Sequence, residues 1–458
     1  MVTRVIAKKV ASKARSTIAE TVAPVAPVAK SVTRRARKAA GTVQKNVADA
    51  VAGTLGLQGE RMSKVDTAWL RMDSSANLMM IVGVWVTKPG LPLADLKRRV
   101  EERLLKYPRF KQRVVEDAAG ATWVEDADFQ LDRHVVTETL AKKPRGREQE
   151  ALQERLAALT MEPLDRDRPL WQFHLVENYK GGSALMVRIH HCIADGIALI
   201  SVTQSLVDGG SPPPQRRSKA ARAQGMDGAE EWLSDALLKP LTHLAVKALG
   251  AAGDGAVKSM SLLMEPQKGM ESGMHSSVDM AKMAYQVVSD LAALALMPDD
   301  SPTRLKGQPG NAKRVAWCAP LPLEEVKAVG KALNCSINDV LLSCVAGAIG
   351  AYLREQGDAV SGKEIRAMVP VNLRPLEHAY KLGNQFGLAP LVLPIGLDNP
   401  VERVYEVRAR MRGLKGSMQP LLAFGLLAVA GLLIKPAQDA LLSLFSKKTT
   451  AVMTNVPG

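Results

Sequence analysis

The feature that most constrains the fold is an apolar run that ends in two adjacent histidines. Residues 184–189 read Ala-Leu-Met-Val-Arg-Ile, and His190 and His191 follow, with Asp195 and Gly196 four and five residues beyond the second histidine. A short apolar run of this kind is typical of a strand. The chain has only 7 His in 458 residues. The pattern therefore predicts that a sheet holds an imidazole rigidly at the end of a strand.

The histidine cluster has the chemistry of a general base. A neutral imidazole titrates near physiological pH and can take a proton from a hydroxyl while that hydroxyl attacks a carbonyl carbon. His191 is our candidate base, His190 and Gly196 shape the turn, and Asp195 holds the turn as a structural anion. Glycine permits a backbone conformation or close approach that a side chain would prevent. The alternative is a pair of core histidines closed by an Asp-Gly turn.

Several other chemistries are disfavoured by the motifs. The four cysteines, at positions 192, 318, 335 and 344, lack Cys-x-x-Cys spacing, and we expect reduced thiols in the cytoplasm. Cys192 adjoins the histidines, but neighbours on an extended segment point to opposite faces, so neither a Cys-His nucleophile nor a zinc site is predicted. Neither Gly-x-Ser-x-Gly nor a Gly-Lys-Ser/Thr loop occurs, which disfavours an α/β-hydrolase and a nucleotide hydrolase. We expect no metal and no cofactor.

The pattern from residue 80 onward alternates between strand and helix. Residues 80–86 are continuously apolar, and leucines and a valine at helical spacing follow, up to Pro108. Alternation over 171–175 predicts a strand that turns back at Lys180-Gly181-Gly182 into the strand ending at His190. At 458 residues and 47% hydrophobic content, the chain can build two domains. We predict an α/β protein.

The clearest break in the body is the segment 208–217, which contains two glycines and three consecutive prolines. We place a linker at 208–230, an N-terminal lobe at 62–207 and a C-terminal lobe at 231–458. A stretch rich in Met, Leu and Ala is predicted to be helical up to about Met297. Strand-like and helix-like segments resume from Val315.

The net charge of +15 is concentrated in the extension 1–61. Residues 1–60 hold 11 lysines and arginines against three acidic residues, a surplus of eight. Three interpretations compete: a solvated, largely disordered tail, a tether to an anionic membrane or lipid-granule surface, and a nucleic-acid contact, which we favour least. The composition also fits an organelle transit peptide, and a start of the protein at Met62 is a further alternative.

Two segments of the second half combine structure and candidate function. Ser336 can cap a helix with Asp339 in its first turn, and the predicted buried stripe comprises Val340, Leu341, Val345, Ala348, Ile349 and Tyr352. Residues 421–434 are uncharged over 14 positions, too few for the ~20 that cross a bilayer. They predict a buried helix or an interfacial one. Another amphipathic patch at 441–445 precedes Lys447 and Lys448 and suits peripheral membrane attachment.

The chain resembles the bacterial wax ester synthase/diacylglycerol acyltransferase family, within the superfamily of CoA-dependent acyltransferases and condensation domains. The shared signature is His-His-x-x-x-Asp-Gly at 190–196. Further segments of the same family lie in the same order from residue 62 to the last residue: Met-Ser-Lys-Val-Asp-Thr-Ala-Trp-Leu at 62–70, Pro-Leu-Trp at 169–171, Asn-Asp at 338–339, Pro-Val-Asn-Leu-Arg at 370–374 and Asn-Val-Pro-Gly at 455–458.

The resemblance implies two lobes of the chloramphenicol-acetyltransferase type with an active-site tunnel between them. It implies that Asn338 and Asp339 face this channel and help to bind substrate, with Asn338 a candidate oxyanion donor. The alternative is that both residues only cap a helix. Arg374 either pairs with Asp195, as an arginine does in the superfamily, or lies solvated in a loop. Family members continue for some tens of residues beyond the position of Gly458, so we expect a truncated or short member.

The function implied is transfer of an acyl group from acyl-CoA to an alcohol, giving wax ester from fatty alcohols or triacylglycerol from diacylglycerol. The expected partners are these substrates, with no nucleic acid. The expected location is the cytoplasm, at the periphery of the inner membrane or of lipid inclusions. The alternatives are another acyltransferase or condensation enzyme of the superfamily and a non-catalytic lipid-granule protein.

Overall fold

The computed structural model describes residues 59–117, 120–144, 146–210, 297–307, 310–374, 381–415, 417, 419–431 and 447–456. The predictions for the extension up to residue 58, for most of the linker and the helical stretch that follows it, and for residues 432–446 lie outside the described residues. The domain boundaries built on them stay predictions.

The described elements alternate between helices and strands. The helices are α1 (Lys64–Arg71), α2 (Leu93–Glu102), α3 (Glu148–Leu159), α4 (Gly196–Leu206), α5 (Leu323–Ala332), α6 (Ile337–Glu355), α7 (Pro400–Lys415) and α8 (Gln419–Ala430). The strands are β1 (Gly59–Arg61), β2 (Met80–Thr87), β3 (Gln112–Asp117), β4 (Gly120–Glu125), β5 (Val135–Thr137), β6 (Trp171–Tyr179), β7 (Gly182–His190), β8 (Ile365–Asn372), β9 (Phe386–Leu393) and β10 (Ala451–Val452).

The main sheet of the N-terminal lobe has the strand order β2-β7-β6-β5. β6 and β7 form the predicted hairpin, and Lys180 and Gly181 turn the chain with φ values of 48° and 76°. Positive φ at both central residues matches the right-handed twist of the strands. All nine residues of β7 are buried, because one face packs into the main core while Ala184 and Met186 pack toward α3 on the other. The histidine motif thus leaves a strand covered on both faces.

A second sheet is formed by strands from residues 59–125, in the order β1-β4-β3. Its strands β3 and β4 are antiparallel and carry Trp123, which is 1% exposed, into the main core. Val315 and Trp317 come much later in sequence, yet they pack against the α3 side of the main sheet. The N-terminal core therefore uses residues from beyond residue 297.

The C-terminal lobe is built on a sheet with the order β10-β8-β9 and on α6 and α7. The predicted cap of α6 is present as a full capping box, in which Ser336 and Asp339 exchange side-chain to backbone hydrogen bonds. The predicted stripe is partly wrong, since Val345 and Tyr352 are 40% and 47% exposed and Ala348 is exposed as well. The buried face carries small side chains instead, because the backbone of residue 395 approaches closely: a Cβ at Gly350 would lie 2.2 Å from the carbonyl oxygen of Ile395.

The apolar segment that begins at residue 421 forms a buried helix, as one of the two alternatives predicts, over the residues that the structure describes. α8 packs against β9 and α1, and Leu422, Ala423, Ala428 and Ala430 are buried. Contact with β9 is so close that a Cβ at Gly387 would lie 1.7 Å from the carbonyl oxygen of Pro420. Among the described helices, α6 alone has the length and composition to cross a membrane, but it buries Asp339 and Ser343 and serves as a core helix of its lobe.

Candidate active site

His191 lies at the end of β7, between residues of both lobes. Its backbone N–H donates to the carbonyl oxygen of Met79, at 2.8 Å. The indole of Trp69, from α1, stacks on the imidazole with ring centroids 4.0 Å apart and planes 9° apart, and the ring of Phe386 lies 5.7 Å away. The ring is therefore held on one face by the N-terminal lobe and approached by the first residue of β9.

One nitrogen of the His191 ring is bonded within the protein. Nδ1 lies 2.8 Å from Oδ1 of Asn384. The amide nitrogen of Asn384 donates at 2.7 Å both to Oδ1 of Asp66 and to the carbonyl oxygen of His191. Nε2 has no hydrogen-bond partner among the described residues. The nitrogen free to exchange a proton with a substrate is therefore Nε2.

Burial controls the protonation of the groups around His191. It lowers the pKa of His191 to about 4, so the imidazole is neutral at physiological pH and able to accept a proton. Burial also raises the pKa of Asp66 to about 6, against hydrogen bonds from Asn384 and Ser63 that favour the carboxylate. The neighbouring Cys192 thiol has a pKa raised by burial, which disfavours the thiolate that a nucleophile needs.

Asp195 is the polar anchor of the motif. Its Oδ1 accepts from the backbone N–H of Ala198, at 3.0 Å, and so caps α4. Its Oδ2 accepts from the backbone N–H of Gln385, at 3.0 Å, and pairs with Arg374, also at 3.0 Å. The side chains of Arg374 and Asp195 are 1% and 6% exposed. The predicted pair is present, and its burial excludes the alternative of a solvated Arg374, while substrate binding by Arg374 stays a prediction.

His190 turns away from His191 into a separate polar network. Its Nδ1 accepts from the backbone N–H of Cys192, at 3.1 Å, and its Nε2 lies 3.2 Å from Oδ2 of Asp73. Asp73 in turn pairs with Arg166 at 2.9 Å. The residue is 2% exposed. This geometry gives His190 the turn-shaping role predicted for it.

Gly196 starts α4, but its backbone does not require glycine. Its φ lies outside the left-handed region, and an added Cβ would meet Val456 at an ordinary 3.6 Å. The expectation that Gly196 provides a special backbone conformation is therefore wrong. The glycine that the site requires is Gly383, whose φ is +97° and whose added Cβ would lie 3.3 Å from Oδ2 of Asp66.

The Asn-Asp motif at the start of α6 is divided between two tasks. Asp339 is buried and accepts from the backbone N–H of Ser336 at 2.8 Å, as the capping alternative predicts. Asn338 is exposed, and its Oδ1 accepts from the side-chain amide of Asn455 at 2.6 Å. Because Val456 lies beside Gly196, Asn455 and Val456 link the first turns of α4 and α6. Substrate binding by Asn338 and Asp339 stays a prediction.

The sequence did not point to four residues that surround His191: Asp66, Trp69, Asn384 and Phe386. Asp66 and Trp69 lie within the quoted segment 62–70, three positions apart and hence on one face of α1. Asn384 stands in a Gly-Asn-Gln sequence directly before a strand. The polar residues Asn384 and Gln385 directly before a strand are typical of a functional loop. A single sequence, however, does not connect them to His191.

No group of three or more His, Cys, Asp or Glu side chains suited to a metal occurs within the described ranges.

A cavity of about 590 Å³ opens at the first turn of α6. Two helices line it with cations one turn apart, Lys327 and Lys331 from α5 and Arg408 and Arg412 from α7. Ser336, Ile337 and Asp339 complete one wall. The N–H groups at a helix start add positive potential to that of the side chains, so the cavity is suited to a negatively charged group.

Comparison with known proteins identifies the family. Residues 62–341 match the wax ester synthase/diacylglycerol acyltransferase catalytic domain, and residues 382–458 match the C-terminal domain of the same family. The chain is 28% identical over 409 residues to the probable diacylglycerol O-acyltransferase tgs1 of Mycobacterium tuberculosis, covering 87% of this chain and 81% of the relative. It is 30% identical over 342 residues to another putative diacylglycerol O-acyltransferase of that species, covering 73% and 68%.

The fold is similar to that of the wax ester synthase/diacylglycerol acyltransferase from Marinobacter aquaeolei VT8. The TM-score is 0.53 at 21% identity, over 87% of this chain and 82% of the other. The chain belongs to the wax ester synthase/diacylglycerol acyltransferase family. The predicted family, the two-lobed α/β fold class and the assignment as an acyltransferase are confirmed, while the tunnel stays a prediction.

Asp195→Asn tests the buried ion pair. Loss of the charge leaves the Arg374 guanidinium buried without its counter-ion, which we expect to lower the free energy of unfolding by about 3–5 kcal/mol. The matched control is Asp358→Asn, because the pair Arg304–Asp358 is 41% and 24% exposed and should cost no more than about 1 kcal/mol. Urea unfolding measures both. Equal costs would contradict the anchoring role.

Proposed function

We propose that this acyltransferase moves an acyl group from acyl-CoA to a fatty alcohol or to diacylglycerol, with His191 as the general base. The observation that carries the proposal is a neutral, half-buried imidazole that is bonded at Nδ1, with Nε2 left for substrate. The names of the relatives support diacylglycerol as an acceptor, and the name of the matching family adds wax ester formation.

The reaction proceeds in one complex of enzyme and both substrates. Nε2 of His191 takes the proton of the hydroxyl as its oxygen attacks the thioester carbonyl carbon. The carbon–sulfur bond then breaks, and the CoA sulfur takes the proton from the imidazolium. The products are an ester and free CoA, and no acyl-enzyme forms. Burial disfavours the positively charged imidazolium of His191 in the resting enzyme. In the transition state the neighbouring oxyanion offsets this cost, so the site stabilises the transition state more than the resting state.

The cavity at the start of α6 is our proposed site for the phosphates of acyl-CoA. Two lysines and two arginines line the cavity, and they suit the several negative charges of the CoA phosphates. Asp339 is the only carboxylate among the described lining residues, and it is engaged in the capping box. The first turn of α6 also contacts the Asn455–Val456 segment beside α4. The cavity is thereby connected to the helix that begins five residues after His191.

His191→Ala should lower turnover by ~10²–10⁴-fold, the range typical for loss of a general base. The assay uses radiolabelled palmitoyl-CoA with hexadecanol or diolein and resolves the lipid products. His134→Gln is the matched control, since His134 also bonds through Nδ1, to the carbonyl oxygen of Trp171 at 2.8 Å, but lies buried in the core. It should lose stability and keep its turnover. A folded His191→Ala protein with normal turnover would refute the mechanism.

Lys331→Glu and Arg412→Glu should each raise KM for acyl-CoA about tenfold or more while kcat changes little, because the cavity contributes binding and not chemistry. Raising the salt concentration should raise KM for acyl-CoA in the unaltered protein, because salt screens the attraction between the cavity cations and the phosphates. The control is Lys106→Glu, which changes an exposed lysine of the N-terminal lobe outside the cavity lining. An unchanged KM in both cavity variants would place the CoA phosphates elsewhere.

We also propose that the protein works in the cytoplasm at the periphery of the inner membrane or of lipid inclusions. The acceptors are lipids, and residues 1–60 carry a surplus of eight positive charges. Basic residues near an anionic surface contribute about 1 kcal/mol each. The extension would thus keep the enzyme where its acceptors are.

Reversal of the basic cluster Arg34, Arg35, Arg37 and Lys38 to glutamate in the full chain tests this attachment. We expect weaker co-sedimentation with vesicles that contain phosphatidylserine and no change with pure phosphatidylcholine vesicles. High salt should reduce binding of the unaltered protein in the same way. Equal binding of both proteins to anionic vesicles at low salt would exclude the extension as the tether.

A further inference from the structure

The hydrogen-bond directions around Asn384 determine which nitrogen of His191 carries the proton. The side-chain oxygen of an asparagine accepts hydrogen bonds and its nitrogen donates them. Oδ1 of Asn384 lies 2.8 Å from Nδ1 of His191. A hydrogen bond at that distance requires the hydrogen to be on Nδ1. The neutral ring then has a lone pair at Nε2, which is the protonation state that a base needs.

The orientation of the Asn384 amide is fixed in turn by two acceptors. Its nitrogen faces Oδ1 of Asp66 and the carbonyl oxygen of His191, each at 2.7 Å. A reversed amide would place its oxygen against both of these oxygens and lose both bonds. Oδ1 of Asp66 also accepts from the backbone N–H of Asn384, at 3.0 Å. Asp66 and Asn384 are 7% and 4% exposed, so water does not compete freely for these bonds.

We propose that Asn384 and Asp66 are positioning residues for the base. Asn384 favours the Nδ1–H tautomer of His191, alongside a hydrogen bond between the ring and the backbone of His191 itself, and Asp66 acts through Asn384 by fixing its amide. Neither residue contacts substrate or gives up a proton in the reaction. The inference rests on His191 as the base of the proposed function.

Trp69 completes the arrangement from the same helix as Asp66. Its stacking fixes the plane of the His191 ring, while the Asn384 bond fixes the rotation within that plane. The Trp69 contact from α1 and the Asn384 bond from the segment before β9 thereby restrain the imidazole to one orientation and one tautomer. This restraint fixes the position of Nε2 before substrate binds. Efficient proton transfer requires such a preorganised acceptor.

The first measurement is independent of activity. In full-length protein labelled with ¹⁵N-histidine, the two ring nitrogens of His191 give distinct long-range ¹⁵N–¹H signals, assigned by their loss in His191→Gln. We expect a protonated Nδ1 and an unprotonated Nε2 in the native protein at neutral pH. Asn384→Ala should give a mixture of tautomers. A native His191 protonated at Nε2 would overturn the proposal.

The second measurement uses kcat. Asn384→Ala should reduce kcat by ~10²-fold or more, since a base in the wrong tautomer cannot accept the proton. Asp66→Ala should have a similar effect, whereas Asp66→Asn keeps an oxygen for the Asn384 amide and should retain kcat within about tenfold. If Asp66 acts only through Asn384, Asp66→Ala adds little to the loss in an Asn384→Ala background. If the two substitutions instead reduce kcat by independent factors that multiply in the double variant, Asp66 does not act through Asn384.

Asn399→Ala is the matched control for truncation of an asparagine. Its Oδ1 accepts from the backbone N–H of Val401 at 2.9 Å, at the start of α7, so its loss should affect stability and leave kcat unchanged. If Asn384→Ala fails to fold, the native tautomer and the Asp66 pair of variants still decide the question. A fully active His191→Ala protein would refute the proposed function, whereas the tautomer measurement tests only the positioning.

Discussion

The structure around His191 depends on one buried carboxylate. Asp195 caps α4, pairs with Arg374 and accepts the backbone N–H of Gln385. Buried charges are costly to desolvate, and only a full set of partners offsets that cost. Here the partners come from both lobes, so satisfying the carboxylate holds residues 383–385 against the histidine loop. The approach of Asn384 to His191 follows from this contact.

The sequence predicted the parts of the fold whose causes are local. The strand before His190 and its hairpin partner were predicted correctly, because alternation and a Lys-Gly-Gly turn act over a few residues. The cap of α6 was predicted from Ser336 and Asp339 for the same reason. The predicted stripe of α6 was partly wrong. A rule based on large apolar side chains missed Gly350, which lets the backbone at Ile395 approach the helix.

The candidate site was predicted only on the side that carries the motif. His191 and Asp195 were identified because they stand in one short segment, and the Arg374 pair came from resemblance. Asn384 and Asp66 were missed, since 193 and 318 residues separate Asn384 from His191 and from Asp66. Only the docking of the lobes joins them. Their chemistry is ordinary until that contact forms, and one sequence contains no record of the contact.

The distance between His191 and Asn384 along the chain has a consequence for biosynthesis. On the ribosome, the segment with the two histidines emerges well before residue 384. During that interval either ring nitrogen of His191 can hold the proton, and the Asp66 carboxylate has no amide to bind. An incomplete chain thus contains the histidine motif without the partners that orient His191. The orientation of His191 therefore awaits synthesis of the second lobe.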